Sequence, residues 1–211
     1  MTGRILTIAQ QKGGSGKTTL AAHLAVAAAL RGLSVALLDC DPQGSLGQWF
    51  EARERRLGED AAGIAFRTAS GWGARREARG LARDHDVVVI DTPPKSDLEC
   101  RPAIEAASLV VVPVQPSPVD LWATQATLDS AAKAGVPALM VINRAQPRTT
   151  LTARMREAIA ALGPVAATEI ASRVAFAASM EAGASVLEAG RSAGADEMAA
   201  LAAEVLTAAG A

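Results

Sequence analysis

Residues 11–19 read Gln-Lys-Gly-Gly-Ser-Gly-Lys-Thr-Thr, and their types and spacing suit one task, the holding of phosphate. Glycines let a backbone wrap closely around phosphate oxygens, because they accept positive φ and carry no Cβ. Gly13, Gly14, Ser15, Gly16, Lys17, Thr18 and Thr19 would form the cradle, with Lys17 reaching the terminal phosphates and the Thr18 hydroxyl binding Mg²⁺. The strict G-x-x-x-x-G-K-[ST] pattern is not met, since Gln11 stands where its first glycine belongs and a second lysine, Lys12, opens the loop. Lysine is scarce in this chain (Lys12, Lys17, Lys95 and Lys133), so two of four lie in this one loop.

A phosphate cradle needs a strand before it and a helix after it. Ile5-Leu6-Thr7-Ile8-Ala9 is apolar and β-prone, and Leu20 to Leu30 is rich in Ala and Leu. That order gathers backbone N–H groups and the positive end of a helix dipole at one point.

Two further segments bring carboxylates to the same place. Ser34 to Leu38 predicts a buried strand that runs into Asp39-Cys40-Asp41-Pro42-Gln43-Gly44. Asp86-Val87-Val88-Val89-Ile90-Asp91 predicts a central strand that ends in a carboxylate before Thr92-Pro93-Pro94. Ligands in open α/β sheets bind at the carboxyl ends of strands, so both segments point toward the loop. The segment resembles the Walker B pattern, which implies that Asp91 is the metal-directed carboxylate, acting through water.

The loop with its extra lysine is the deviant Walker A form, and here the chain resembles the ParA/MinD family of dimeric ATPases. D-C-D-P-Q-G and V-V-V-I-D-T-P-P follow it in the family's order. The resemblance implies ATP and Mg²⁺ as ligands and a nucleotide-sandwich homodimer in which Lys12 reaches the partner's phosphates. It also implies that Asp41 orients or activates the attacking water, that Asp39 helps hold the Mg²⁺ shell, and that Thr92 to Pro94 senses the terminal phosphate. Asn143 and Arg144 would sit at the adenine. The run from Pro113 to Asp120 is similar to the small plasmid-partition ATPases of the ParF type, whose corresponding loop lies near the nucleotide and the dimer interface; a proline-stiffened turn explains the same residues.

The remaining pattern predicts helices over about 45–57, 72–83, 120–134, 149–162 and 193–208, and strands at 64–68, 108–114, 136–142 and 165–170. Alternating strands and helices joined by short loops make a doubly wound, mainly parallel sheet with helices on both faces. At 211 residues, with no long linker and no internal repeat, residues 1–211 are expected to form a single domain. The 3% aromatic content, without tyrosine, leaves the core to Ala, Val, Leu and Ile.

Net charge of −1 excludes a wholly basic DNA-coating protein but leaves room for a local patch. Arg148, Arg154, Arg156 and Arg173 are the DNA candidates, interleaved with Glu157, Glu169 and Glu181. Arg75, Arg79 and Arg83 share a helix face that suits either solvent or DNA phosphates. Cys40 and Cys100 form no C-x-x-C pair and fit a reducing cytosol. No apolar run approaches a membrane span, and the chain opens without a signal peptide, so a cytoplasmic, nucleoid-associated protein without a membrane partner is expected.

By resemblance, the function is a partition or positioning ATPase that binds DNA nonspecifically. A ParB-like or other small activator protein would stimulate its slow hydrolysis. The alternative is a MinD-like, membrane-cycling regulator of division placement. It needs a basic amphipathic helix, which the last residues, Glu204 to Ala211, do not supply.

Overall fold

The computed structural model describes residues 2–58, 63–94, 97–146 and 150–211. Seven strands alternate with helices: β1 (Arg4–Ile8), α1 (Lys17–Ala29), β2 (Val35–Asp39), α2 (Ser45–Leu57), β3 (Ile64–Thr68), α3 (Gly71–Asp84), β4 (Val87–Asp91) and α4 (Asp97–Ala106) form the first half. Then come β5 (Leu109–Val114), α5 (Pro118–Ala134), β6 (Ala138–Ala145), α6 (Thr150–Ala160), β7 (Ile170–Ala171), α7 (Val174–Glu181) and α8 (Ala193–Ala209). The strands form one sheet in the order β3-β2-β4-β1-β5-β6-β7, and every recorded pairing is parallel.

Side chains alternate across the sheet, and the core divides accordingly. Leu6, Ile8, Leu37 and Val89 face one way, into a layer with α1, Trp49 and Phe50 of α2, Phe176 of α7, and α8. Ile5, Leu38, Val88 and Ile90 face the other way, onto Ala74, Ala78 and Ala82 of α3. Val110, Val112 and Ile142 continue that second layer against Ile104 of α4, Ala131 of α5 and Ile159 of α6. Small alanines let α3 lie close to the strands, which is how a chain poor in aromatics packs tightly.

Two elements differ from the expected pattern. The strand expected over 165–170 shortens to Ile170–Ala171, with one isolated bridge between Met140 and Val165. Glu204 of α8 accepts the amides of Ala167 and Thr168 at 2.6 and 2.9 Å, so a side chain takes donors that a strand ladder would use. In the same way Glu197 accepts from the amide of Ala171 at 3.2 Å. Helix α4, with Pro102 inside it, occupies a stretch to which the pattern assigns no element.

Candidate nucleotide site

Register builds the site. Ile8 stands beside Asp91 across β1 and β4, and Asp39 beside Asp91 across β2 and β4. The strand ends therefore place Asp39, Asp91 and the start of the phosphate loop in adjacent columns. Gly14 (φ 77°) and Gly16 (φ 97°) turn the loop into α1. A Cβ on Gly16 would lie 2.3 Å from Asn143 Nδ2, so only glycine fits there.

Lys17 opens α1 and is buried, with Nζ 3.4 Å from the carbonyl of Lys12. Burial pushes its ammonium below the ordinary lysine range, and the nearby Asp91 carboxylate opposes that shift. Thr18 Oγ1 donates to Asp91 Oδ2 at 2.6 Å. Asp91 is fully buried, and its other oxygen, Oδ1, has no hydrogen-bond partner among the described residues. Burial pushes its carboxyl up to about 7; the Thr18 hydrogen bond pulls the other way, while Asp39 adds to the rise. A buried carboxylate with an unpartnered oxygen, touching a threonine hydroxyl beside a lysine, fits a hard divalent cation. Thr18 and Asp91 are thus the residues that would hold Mg²⁺, whose charge would offset that of the phosphates.

Asp39 is placed differently. Its Oδ1 accepts from the amide of Asp41 at 2.9 Å and its Oδ2 from the amide of Gly47 at 3.2 Å. Both oxygens hold the turn that carries Asp41 and the start of α2, so the geometry gives Asp39 a positioning task. Burial raises its pKa, and those two amides oppose the rise. Asp41 is half-buried, and its Oδ1 accepts from the amide of Gln43 at 2.9 Å.

A cleft of about 1060 Å³ joins these groups, lined by Lys17, Thr18, Asp41, Pro94, Asn143, Arg144 and the start of α7. Asn143 and Arg144 are among the last three residues of β6 rather than beyond it. Asn143 Nδ2 donates to the carbonyl of Ser15 at 2.8 Å, and Asn143 Oδ1 accepts from the amide of Arg144 at 3.0 Å. Arg144 is the one non-glycine residue at positive φ (52°) among the described residues. The asparagine amide thus braces the phosphate loop from inside the cleft.

The loop before α5, open to two readings in the sequence, docks on the phosphate loop. Gln115 Nε2 donates to the carbonyl of Gly14 at 2.8 Å, and Gln10 Nε2 donates to Thr124 Oγ1 at 3.0 Å. Lys12 donates to the fully buried carboxylate of Asp120, which also accepts from the Ser117 hydroxyl. The run that ends at Asp120 is expected near the nucleotide, but nothing in the sequence pairs Asp120 with Lys12, 108 positions away.

The DNA candidates separate. Arg156 is paired with Glu169 and Arg173 with Glu197, so two of the four have their charge answered within the chain. Arg154 is exposed on α6, and Arg148 lies outside the described residues. The C-terminal basic patch is weaker than the arginine count suggests.

His23 lies one turn further along α1 and is fully buried, with Nδ1 2.8 Å from the carbonyl of Thr19 and Nε2 3.1 Å from Ser179 Oγ. Burial pushes its pKa down to about 4. The unfolded chain accepts a proton below about pH 6.5, whereas the folded chain does so only near pH 4. The contribution of His23 is complete above 6.5 and lost as pH falls toward 4, by about 3 kcal/mol. Denaturant unfolding of wild type and His23→Gln should show their difference changing by about that amount between pH 7 and pH 4. A difference independent of pH would contradict a buried neutral His23.

The fold and site define a P-loop ATPase with a deviant phosphate loop, using ATP and Mg²⁺. A family model described as the CobQ/CobB/MinD/ParA nucleotide binding domain matches residues 6–186. The chain is 34% identical over 193 residues to the maintenance of carboxysome distribution protein A of Halothiobacillus neapolitanus, covering 88% of this chain and 87% of that one. It is 35% identical over 136 residues to the chromosome-partitioning ATPase Soj of Thermus thermophilus, covering 53% and 55%. The septum site-determining protein MinD of Pyrococcus horikoshii, solved with Mg-ADP, superposes with a TM-score of 0.81 at 22% identity over 96% of this chain and 95% of that one, a likeness of fold. The chain belongs to the CobQ/CobB/MinD/ParA nucleotide-binding family.

Proposed function

We propose that this protein is an ATP-driven positioning ATPase that works as a homodimer closed around nucleotide, with Lys12 of each subunit acting on the phosphates bound by the other. The observation that carries this reading is the division between its two loop lysines. Lys17 is buried under its own loop, while Lys12 is about one-third exposed and turned onto Asp120 at the loop's edge. Phosphoryl transfer is catalysed mainly by positioning and charge neutralisation, so a cation delivered only on pairing couples assembly to hydrolysis. Asp41, on the lip of the cleft, orients the attacking water.

In this reading the ATP-bound dimer binds nucleoid DNA nonspecifically in the cytoplasm, and a small ParB-like activator protein accelerates turnover. The likeness to a carboxysome-distribution protein over most of both chains favours a protein assembly as cargo, ahead of a plasmid or chromosome.

Asp41→Ala is expected to bind ATP but not turn it over, accumulating in sedimentation velocity a species of twice the 21.6 kDa chain mass. A variant that stays monomeric with saturating ATP, or turns over at the wild-type rate, would contradict the role of Asp41.

A further inference from the structure

Helix α3 has the most distinct division of faces outside the nucleotide site. Ala74, Ala78 and Ala82 are buried on the sheet. Trp72, Arg76, Arg79 and Arg83 follow at spacings of four, three and four, which places them within about 60° of arc, roughly 130° round the helix from the buried alanines. All four are exposed, and Trp72 is 89% exposed, more than Trp122 (73%) or the buried Trp49 (2%). Arg75, just off this stripe, is paired with Glu105 at 3.2 Å. Arg76, Arg79 and Arg83 make no ion pair among the described residues.

The flank of the stripe is bare. Gly73 and Gly80 lie beside it, between the arginines and the acidic Glu77 and Asp84. A Cβ on Gly80 would meet nothing within 4 Å, and one on Gly73 nothing closer than 3.8 Å. Packing requires neither glycine, although glycine is the least favourable residue in a helix after proline. Their effect is to let an extended backbone approach α3 closely.

We infer that this stripe is a contact surface for the sugar–phosphate backbone of DNA, with the three arginines on phosphates and the Trp72 ring against a sugar or an unstacked base. The inference rests on the DNA-binding reading above and moves its surface from the C-terminal third to α3. From Trp72 to Arg83 the stripe runs about 16 Å, the rise of four to five base steps of duplex. Phosphate contacts of this kind carry no base readout, as nonspecific binding requires. A lipid surface fits less well, because helices that bind bilayers immerse a broad apolar face, and that of α3 is already buried on the sheet.

Full-length protein with Mg²⁺ and a slowly hydrolysed ATP analogue can be titrated onto a labelled random-sequence duplex by fluorescence anisotropy across a salt series. R76A/R79A/R83A is expected to weaken binding at least about 30-fold and to lower the salt slope by about 2 to 3. Trp72→Ala should weaken it about fivefold with the salt slope kept. All four side chains are exposed, so melting temperature and ATP-dependent dimerisation should match wild type. Wild-type affinity in the triple variant would overturn the surface while leaving DNA binding intact. No DNA binding by wild type would overturn the DNA reading itself. Capture on phosphatidylserine vesicles, lost in the triple variant, with no binding to duplex would show a membrane surface instead.

Discussion

Asp91→Asn should lower Mg²⁺-dependent ATP turnover by about 100-fold or more, yet raise the melting temperature of the nucleotide-free protein at pH 8. The two effects have one origin. Asp91 ends the central strand with no exposed surface, and its Oδ1 has no donor among the described residues. Ionising such a group without a cation is costly. Its folded pKa, about 7, lies above the ordinary 3.8. The folded protein therefore keeps a proton that the unfolded chain releases, and stability falls as pH rises from 3.8 to 7. That loss amounts to about 4 kcal/mol and is complete above pH 7.

Asparagine keeps an acceptor for the Thr18 hydroxyl but carries no charge, so the variant avoids most of that cost. Its melting temperature should rise by about 5 °C or more at pH 8, as followed by circular dichroism. The same change should steepen the pH profile below 6.5. His23 and Asp91 titrate over overlapping windows with opposite signs, so in wild type they largely cancel, and the variant leaves the His23 slope exposed. A variant less stable than wild type at pH 8 would show that the Asp91 charge is compensated in the apo protein.

The second large effect belongs to Lys12. Lys12→Ala should lower kcat by about 100- to 1000-fold while changing ATP affinity less than about threefold, the pattern of a group that acts mainly in the transition state. Lys17→Ala, by contrast, removes the lysine buried beneath the loop and should lose binding. In the single chain the Lys12 ammonium rests on Asp120, a carboxylate buried at the start of α5 and shared with Ser117. Closing the dimer would exchange that carboxylate for phosphate oxygens of the neighbour.

Much of this site is legible locally. The apolar runs that end at Asp39 and Asp91, and the glycines between β1 and α1, place the strand ends and the cradle because period and turn chemistry act over a few residues. Other features depend on which distant segments meet. Asp120 looks like a helix-opening acid until the fold sets it against Lys12, 108 positions away. Glu197 and Glu204 are two acids of the last helix in the sequence, yet in the fold they hold the backbone at 167–171 and shorten β7. Arg156 and Arg173 look like free charges in sequence and are paired in three dimensions. Arg76, Arg79 and Arg83 of α3 differ, since no carboxylate among the described residues pairs with them, whereas Arg75 on the same helix meets Glu105.

Mixing two inactive variants tests the central claim, that the site is completed by a second subunit. With Lys12 in trans, the site on a Lys12→Ala subunit draws its lysine from an Asp41→Ala partner and keeps its own Asp41. Random pairing makes half the dimers mixed, each with one complete site, so an equimolar mixture should recover about one quarter of wild-type turnover. If Lys12 acts on its own subunit's phosphates, no site in the mixture holds both residues, and the mixture will be as inactive as either variant alone.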